Sequence, residues 1–124
     1  MIGIARAGLE QLNGAMRLRD PAAAGLFVED ALLVGSDPGE IAHGRPAIAK
    51  LLAAIHARDY VVQWQFDMLR AGGGGDRAWL FGEGHAVLER PTGATRIAYR
   101  LSGALLKTPE GWRWELFHGS EPAA

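Results

Sequence analysis

The sequence predicts an α+β domain: three N-terminal helices packed on a curved, mostly antiparallel sheet that closes into a cone. Two observations carry that prediction. Apolar residues recur at three- to four-residue spacing in segments before residue 56, then at alternate positions from Tyr60 to Ser120. The first period is that of a helix face, and the second is that of a strand face. Helices followed by a meander of strands place the helices on one side of the sheet.

Residues 2–18 read as an amphipathic helix. Ala5, Leu9, Leu12 and Met16 form its apolar face, with Arg6, Glu10, Asn13 and Arg17 off it. Gly3, Gly8 and Gly14 oppose it, each costing about 1 kcal/mol relative to alanine in a helix interior. Asp20-Pro21 supplies a capping carboxylate and a proline suited to a first turn. A second short helix is therefore expected from Ala22 through Phe27, stopping near Glu29-Asp30. Ala31-Leu32-Leu33-Val34 is an apolar run ending at Gly35, read as a short strand, and Ser36-Asp37-Pro38-Gly39 is turn chemistry. Pro46 marks the first turn of a third helix with Ile48, Leu51, Leu52 and Ile55 on its apolar face.

Val62, Trp64, Phe66 and Met68 alternate with less apolar neighbours and predict one buried strand face. Residues 71–76 contain four consecutive glycines and are expected to be a flexible hairpin tip. No lysine or following helix completes a phosphate-cradling loop there. Residues 77–90 and 95–107 are two long strands. Trp79, Phe81, Glu83, His85 and Val87 share one face of the first, and Gly82 and Gly84 on the other permit a bend or bulge. In the last strand, Gly111–Ser120, strict alternation puts Trp112, Trp114, Leu116, His118 and Ser120 on one face. A single bulge would invert that face.

Composition narrows the classes of function. The 124 residues, 48% hydrophobic and 22% charged, suit one globular domain spanning residues 1–124. A net charge of −1 offers no electrostatic footprint for nucleic acid or an anionic membrane. With no cysteine there is no disulfide or thiolate chemistry. No apolar run approaches a membrane span, and the N-terminus does not read as a signal peptide, so a cytoplasmic protein is expected.

Three motifs resemble the nuclear transport factor 2-like superfamily, also called the SnoaL-like or cystatin-like cone. They are Leu26-Phe27-Val28-Glu29-Asp30-Ala31, Gly44-Arg45-Pro46-Ala47-Ile48, and the closing strand from Gly111-Trp112 to His118-Gly119-Ser120. The resemblance covers the whole chain. The last thirty or so residues also resemble the association domain of calcium/calmodulin-dependent kinase II, which implies self-assembly. The superfamily hosts isomerases, dehydratases, cyclases and assembly modules, so the likeness implies a fold and not one activity. Against ketosteroid isomerases, the position of the proton-abstracting carboxylate falls on Gly35, which has no side chain.

The candidate site residues divide by role. His118 ends the aromatic face of the last strand, where an imidazole can serve as acid or base; Glu83 and His85 form an i, i+2 pair beside aromatics. These three are the candidate catalytic groups. Trp64, Trp79, Tyr99, Arg100 and Trp114 are candidate ligand contacts, with Arg100 either a clamp for a ligand carboxylate, one half of a salt bridge to Glu115 or Glu83, or an exposed side chain on the outer face of the sheet. No metal site is expected, since the histidines lack a recognised ligand spacing, and no cofactor is called for. The expected protein is a homodimer with an apolar pocket for a small molecule, an acid among the candidates. The alternative is a cofactor-independent lyase or isomerase using His118 with Glu83 or His85.

Overall fold

A computed structural model describes residues 1–123. Helix α1 (Ile2–Arg17) leads through a one-turn 3-10 helix (Ala23–Leu26) into strands β1 (Phe27–Val34) and β2 (Ile41–His43). Helix α2 (Arg45–His56) follows, and then β3 (Val61–Gly74), β4 (Arg77–Arg90), β5 (Gly93–Thr108) and β6 (Gly111–Ser120). The six strands form one sheet in the order β2-β1-β6-β5-β4-β3. All neighbours are antiparallel except β1 and β6, which run parallel. Among the described residues no helix is long and apolar enough to cross a membrane.

Among the described residues two α-helices are present, not three. Asp20 does cap the segment after α1, its carboxylate accepting the Ala22 N–H at 2.8 Å. The segment then makes a single 3-10 turn, because Phe27 is drawn into the sheet. Phe27 is wholly buried and extended opposite Trp114, which moves the start of β1 ahead of Ala31. Three alanines and Gly25 give the turn no long apolar stripe with which to hold a helix against that burial. The strand β2, three residues long, was not legible beforehand; it folds back on β1 across the turn chemistry of residues 36–39.

The helices dock as their apolar spacing demands. Helix α1 buries Ala5, Gly8, Leu9, Leu12, Ala15 and Met16. Helix α2 buries Ile48 and Leu52, with Pro46 in its first turn. Arg45 sends its guanidinium to the Phe27 carbonyl, 2.9 Å from Nη2. Arg19, at φ 49°, donates to the carbonyls of His56 and Arg58 and so closes the C-terminus of α2.

Two extra residues bend the sheet and change which side chains face inward. In β3 the register shifts at Asp67, between Phe66 opposite Gly84 and Met68 opposite Glu83. Downstream of it Leu69 and Ala71 pack on the core in place of Met68. The glycines of β4 make this possible: a Cβ on Gly84 would overlap the Gln65 carbonyl, and Gly82 lies under the Phe66 ring. In β6 the shift falls at Glu115, since Leu105 opposes Trp114 and Ala104 opposes Leu116. Trp114, Phe117 and Gly119 are therefore buried, while His118 and Ser120 are exposed. This corrects the strictly alternating face expected for the last strand.

The glycine run is also more ordered than expected. Strand β3 continues to Gly74, leaving Gly75-Asp76 as the turn. The Trp79 indole lies over Gly72, its cross-strand partner, where a Cβ would overlap the ring.

One side chain fixes the edge strand β3 to α1. Asn13 donates Nδ2–H to the Trp64 carbonyl at 3.0 Å and accepts the Trp64 N–H on Oδ1 at 2.9 Å, as a neighbouring strand would. Gln63, 3% exposed, adds a bond to the Asn13 carbonyl at 2.8 Å and accepts from Arg17 at 2.6 Å. Asn13→Ala is expected to destabilise the fold by about 1–3 kcal/mol, read by urea denaturation. Asn13→Asp, which keeps the acceptor and loses the donor, should fall between the two; an unchanged midpoint for Asn13→Ala would show the clamp to be idle.

Candidate functional site

The bent sheet, α1, α2 and the residue 35–40 loop enclose a cavity of about 160 Å³. Its hydrocarbon wall comes from Leu12 and Met16 of α1, Leu52 and Ile55 of α2, and Leu33, Val62, Leu88, Ile97 and Phe117 of the sheet. Trp64 and Tyr99 are the polar-tipped aromatics of the wall, and Tyr60 stands near Arg58. Phe27, Gly35 and Ala86, with the polar Ser36, Asp37, Glu40, Arg58 and Glu121, complete the lining. Trp64 packs edge-on to Phe117 with centroids 5.2 Å apart, and Phe117 edge-on to Trp114 at 5.6 Å. That aromatic chain ties the cavity wall to the core.

Tyr99 is 5% exposed, and Gly119 makes the room for it: a Cβ there would overlap the phenol oxygen. Burial pushes the Tyr99 hydroxyl well above its ordinary range; the Trp64 indole opposes this, and the nearby carboxylates of Glu40, Glu121 and Asp37 add to it. The hydroxyl is thus a neutral donor at physiological pH. The Trp64 Nε1–H approaches it, yet is buried without a hydrogen bond of good geometry.

Glu40 occupies the space that a side chain on Gly35 would fill. A Cβ on Gly35 would overlap Glu40 Oε1 and lie 2.9 Å from its Cβ. The Glu40 side chain is 12% exposed. Its Oε1 accepts the Asp37 N–H at 3.1 Å, and its Oε2 pairs with Arg58 Nη2 at 3.2 Å. Arg58 also donates to the Tyr60 hydroxyl at 2.9 Å. Burial disfavours the Arg58 charge, but Tyr60 and Glu40 outweigh it and hold the guanidinium above its ordinary range.

Of the residues singled out from the sequence, Trp64 and Tyr99 reach the cavity. His118 is exposed on the opposite side of the sheet, turned there by the bulge at Glu115. Glu83 is on that outer face, bonded to Arg100 at 2.8 Å, so the salt-bridge reading of Arg100 describes its geometry and the clamp does not. His85 lies beside Arg96, Nδ1 to Nη2 3.3 Å. Trp79 is 51% exposed over Gly72, and Trp114 is buried behind the cavity wall. Glu40, Arg58 and Glu121 were missed. The available signal was Gly35 itself, since a glycine closing an apolar strand marks a close approach by another group.

This is a cone of helices and bent sheet around a half-open, largely apolar cavity, the architecture of the nuclear transport factor 2-like proteins. The SnoaL-like domain family matches residues 6–124, and the chain belongs to that family. No curated protein matches the sequence. Among solved structures, a candidate dehydratase of the nuclear transport factor 2-like family from Streptomyces avermitilis is similar at a TM-score of 0.81 and 16% identity, covering 98% of this chain and 96% of that one. A nuclear transport factor 2-like protein with a cystatin-like fold from Novosphingobium aromaticivorans is similar at 0.76 and 19%, covering 96% and 80%. A candidate calcium/calmodulin-dependent kinase II association domain from Xanthomonas campestris is similar at 0.79 and 18%, covering 95% and 85%. At these identities the likeness is one of fold.

The close approach of Tyr99 to Gly119 makes an added methyl there costly. Gly119→Ala is expected to lose about 1–3 kcal/mol of stability as the phenol is displaced. Gly14→Ala, in open space on α1, should gain up to about 1 kcal/mol. Paired urea titrations test the contrast; two shifts of the same sign would refute the packing argument.

Proposed function

We propose that the chain is a binding cone: a homodimer in which each protomer holds a small, mainly hydrocarbon molecule carrying a neutral hydrogen-bond acceptor. One observation carries this reading. The Tyr99 hydroxyl and the Trp64 indole N–H meet in a cavity otherwise walled by hydrocarbon, and the indole has no partner. An unpaired buried donor costs about 1–3 kcal/mol, which a ligand oxygen would relieve. The cavity is close to the ~150 Å³ that accommodates a benzene ring, so a single ring with a short substituent is the right size. An acid is less favoured, since Arg100 is bonded to Glu83 outside the cavity and Arg58 is matched by Glu40.

A second reading, a cofactor-independent lyase or isomerase, draws on Glu40. Its carboxylate stands in the space of the side chain that Gly35 lacks, with Tyr99 able to donate to a developing oxyanion. It does not use His118 with Glu83 or His85, which share no cavity with these groups. The homodimer is supported by the outer sheet face, where Trp79 is exposed and Phe81 and Leu116 are half-buried.

Acetophenone, as a neutral aryl ketone, is expected to bind and to quench Trp64 fluorescence. Trp64→Phe and Tyr99→Phe should each weaken it about tenfold by calorimetry, with the fold intact. Glu40→Gln separates the readings: any turnover of a ketone substrate is lost if the carboxylate works as a base, and binding stays within a few-fold. No binding of acetophenone to the parent chain would sink the proposal. Light scattering should give twice the chain mass, and Trp79→Glu should shift it toward the monomer; a monomeric parent would remove the dimer from it.

A further inference from the structure

The loop end of the cavity carries an imbalance of charge. Among the described residues, Arg58 is matched by Glu40 at 3.2 Å, and Arg90, over the Tyr60 ring at 4.8 Å, by Asp59 at 3.5 Å. Asp37 and Glu121 also line the cavity and, among the described residues, have no cationic partner. Glu121 accepts only a neutral donor, the Ser36 hydroxyl at 2.6 Å. Two exposed carboxylates alone would be an ordinary solvated surface. Here they border a half-open, largely apolar space into which Tyr99, 5% exposed, brings its hydroxyl and Trp64 an indole N–H that has no hydrogen-bond partner of good geometry.

Building on the binding reading above, we infer that the ligand is a cation: an apolar ring with an acceptor for Tyr99 and Trp64, and a protonated amine that pairs with Asp37 and Glu121. The ring replaces water against the hydrocarbon wall and the ammonium supplies the missing counter-charge. A carboxylate at the same place meets two like charges and no free guanidinium, a mismatch that acts as a filter against acids. Each exposed pair is modest in strength, so the preference is a matter of selectivity more than of tightness, and it weakens with salt.

Three probes share an aryl ketone and differ in charge at the far end: 4-acetylbenzylamine, 4-acetylbenzyl alcohol and 4-acetylbenzoate. Calorimetry at low salt is expected to rank them amine, alcohol, acid, with the amine at least about tenfold tighter than the acid. In the Asp37→Asn/Glu121→Gln variant the amine should weaken about fivefold and the alcohol stay within twofold. Both positions are exposed, so the variant is expected to fold; an unchanged circular dichroism melt checks it. If the alcohol binds but the amine gains nothing over the acid, or keeps its advantage in the variant, the inference is overturned and the binding reading stands. If none of the three binds, both fall.

Discussion

A strand of strict alternation could turn Trp114 or Phe117 toward the helices, but not both. The additional residue at Glu115 removes that choice. It lets β6 bury Trp114 against Phe27 and Leu105, then Phe117 against Trp64, and then leave Gly119 bare beneath the Tyr99 phenol. Each of these bears on the cavity: the first is the packed aromatic support behind its wall, the second a wall, the third the place of its hydroxyl. The bulge at Asp67 does the same for β3, exchanging Met68 for Leu69 on the inner face as the sheet curls. Curvature and orientation of side chains thus have one cause.

That cause explains what could be read from the residues and what could not. Periodicity marks α1, α2 and the four long strands, because each keeps its spacing over several turns or pairs. The order of those elements carries the cone, and the three motifs carry the resemblance to the family. The short helix after Asp20-Pro21 failed, since a local cap was outweighed by burying Phe27 in the sheet, a contact with a residue far along the chain. The outward position of His118 was illegible for a similar reason. It depends on one unpaired residue in β6, and nothing in Trp114-Glu115-Leu116-Phe117 distinguishes that residue from its neighbours. Trp64 and Tyr99 lie upstream of the bulges in their strands' inner faces or on a strand without one, and both reach the cavity.

The electrostatics of the cavity follow from an exchange between backbone and side chain. Gly35 gives up a side chain and Glu40, returning across the turn, brings a carboxylate into the vacated volume. Its Arg58 partner holds that charge in place, and Tyr60 in turn holds Arg58. The Gly35 N–H also donates to the Glu40 carbonyl at 2.7 Å, so the backbone at the end of β1 holds the residue whose side chain fills its vacated volume. A group at the end of a strand has been traded for one on a loop, with its geometry secured by pairing.

The parallel contact between β1 and β6 joins the first strand of the chain to the last. While the polypeptide is being synthesised, β1 and the helices emerge early but have only partial cover for Phe27, Ala31 and Leu33. The hairpins of β3, β4 and β5 can form as they appear, their partners being adjacent in sequence. The cavity has no closed wall until residues 111–120 have left the ribosome and β6 slides between β1 and β5. Up to that moment the nascent chain presents an open apolar trough, the kind of surface that is prone to aggregate while it is exposed.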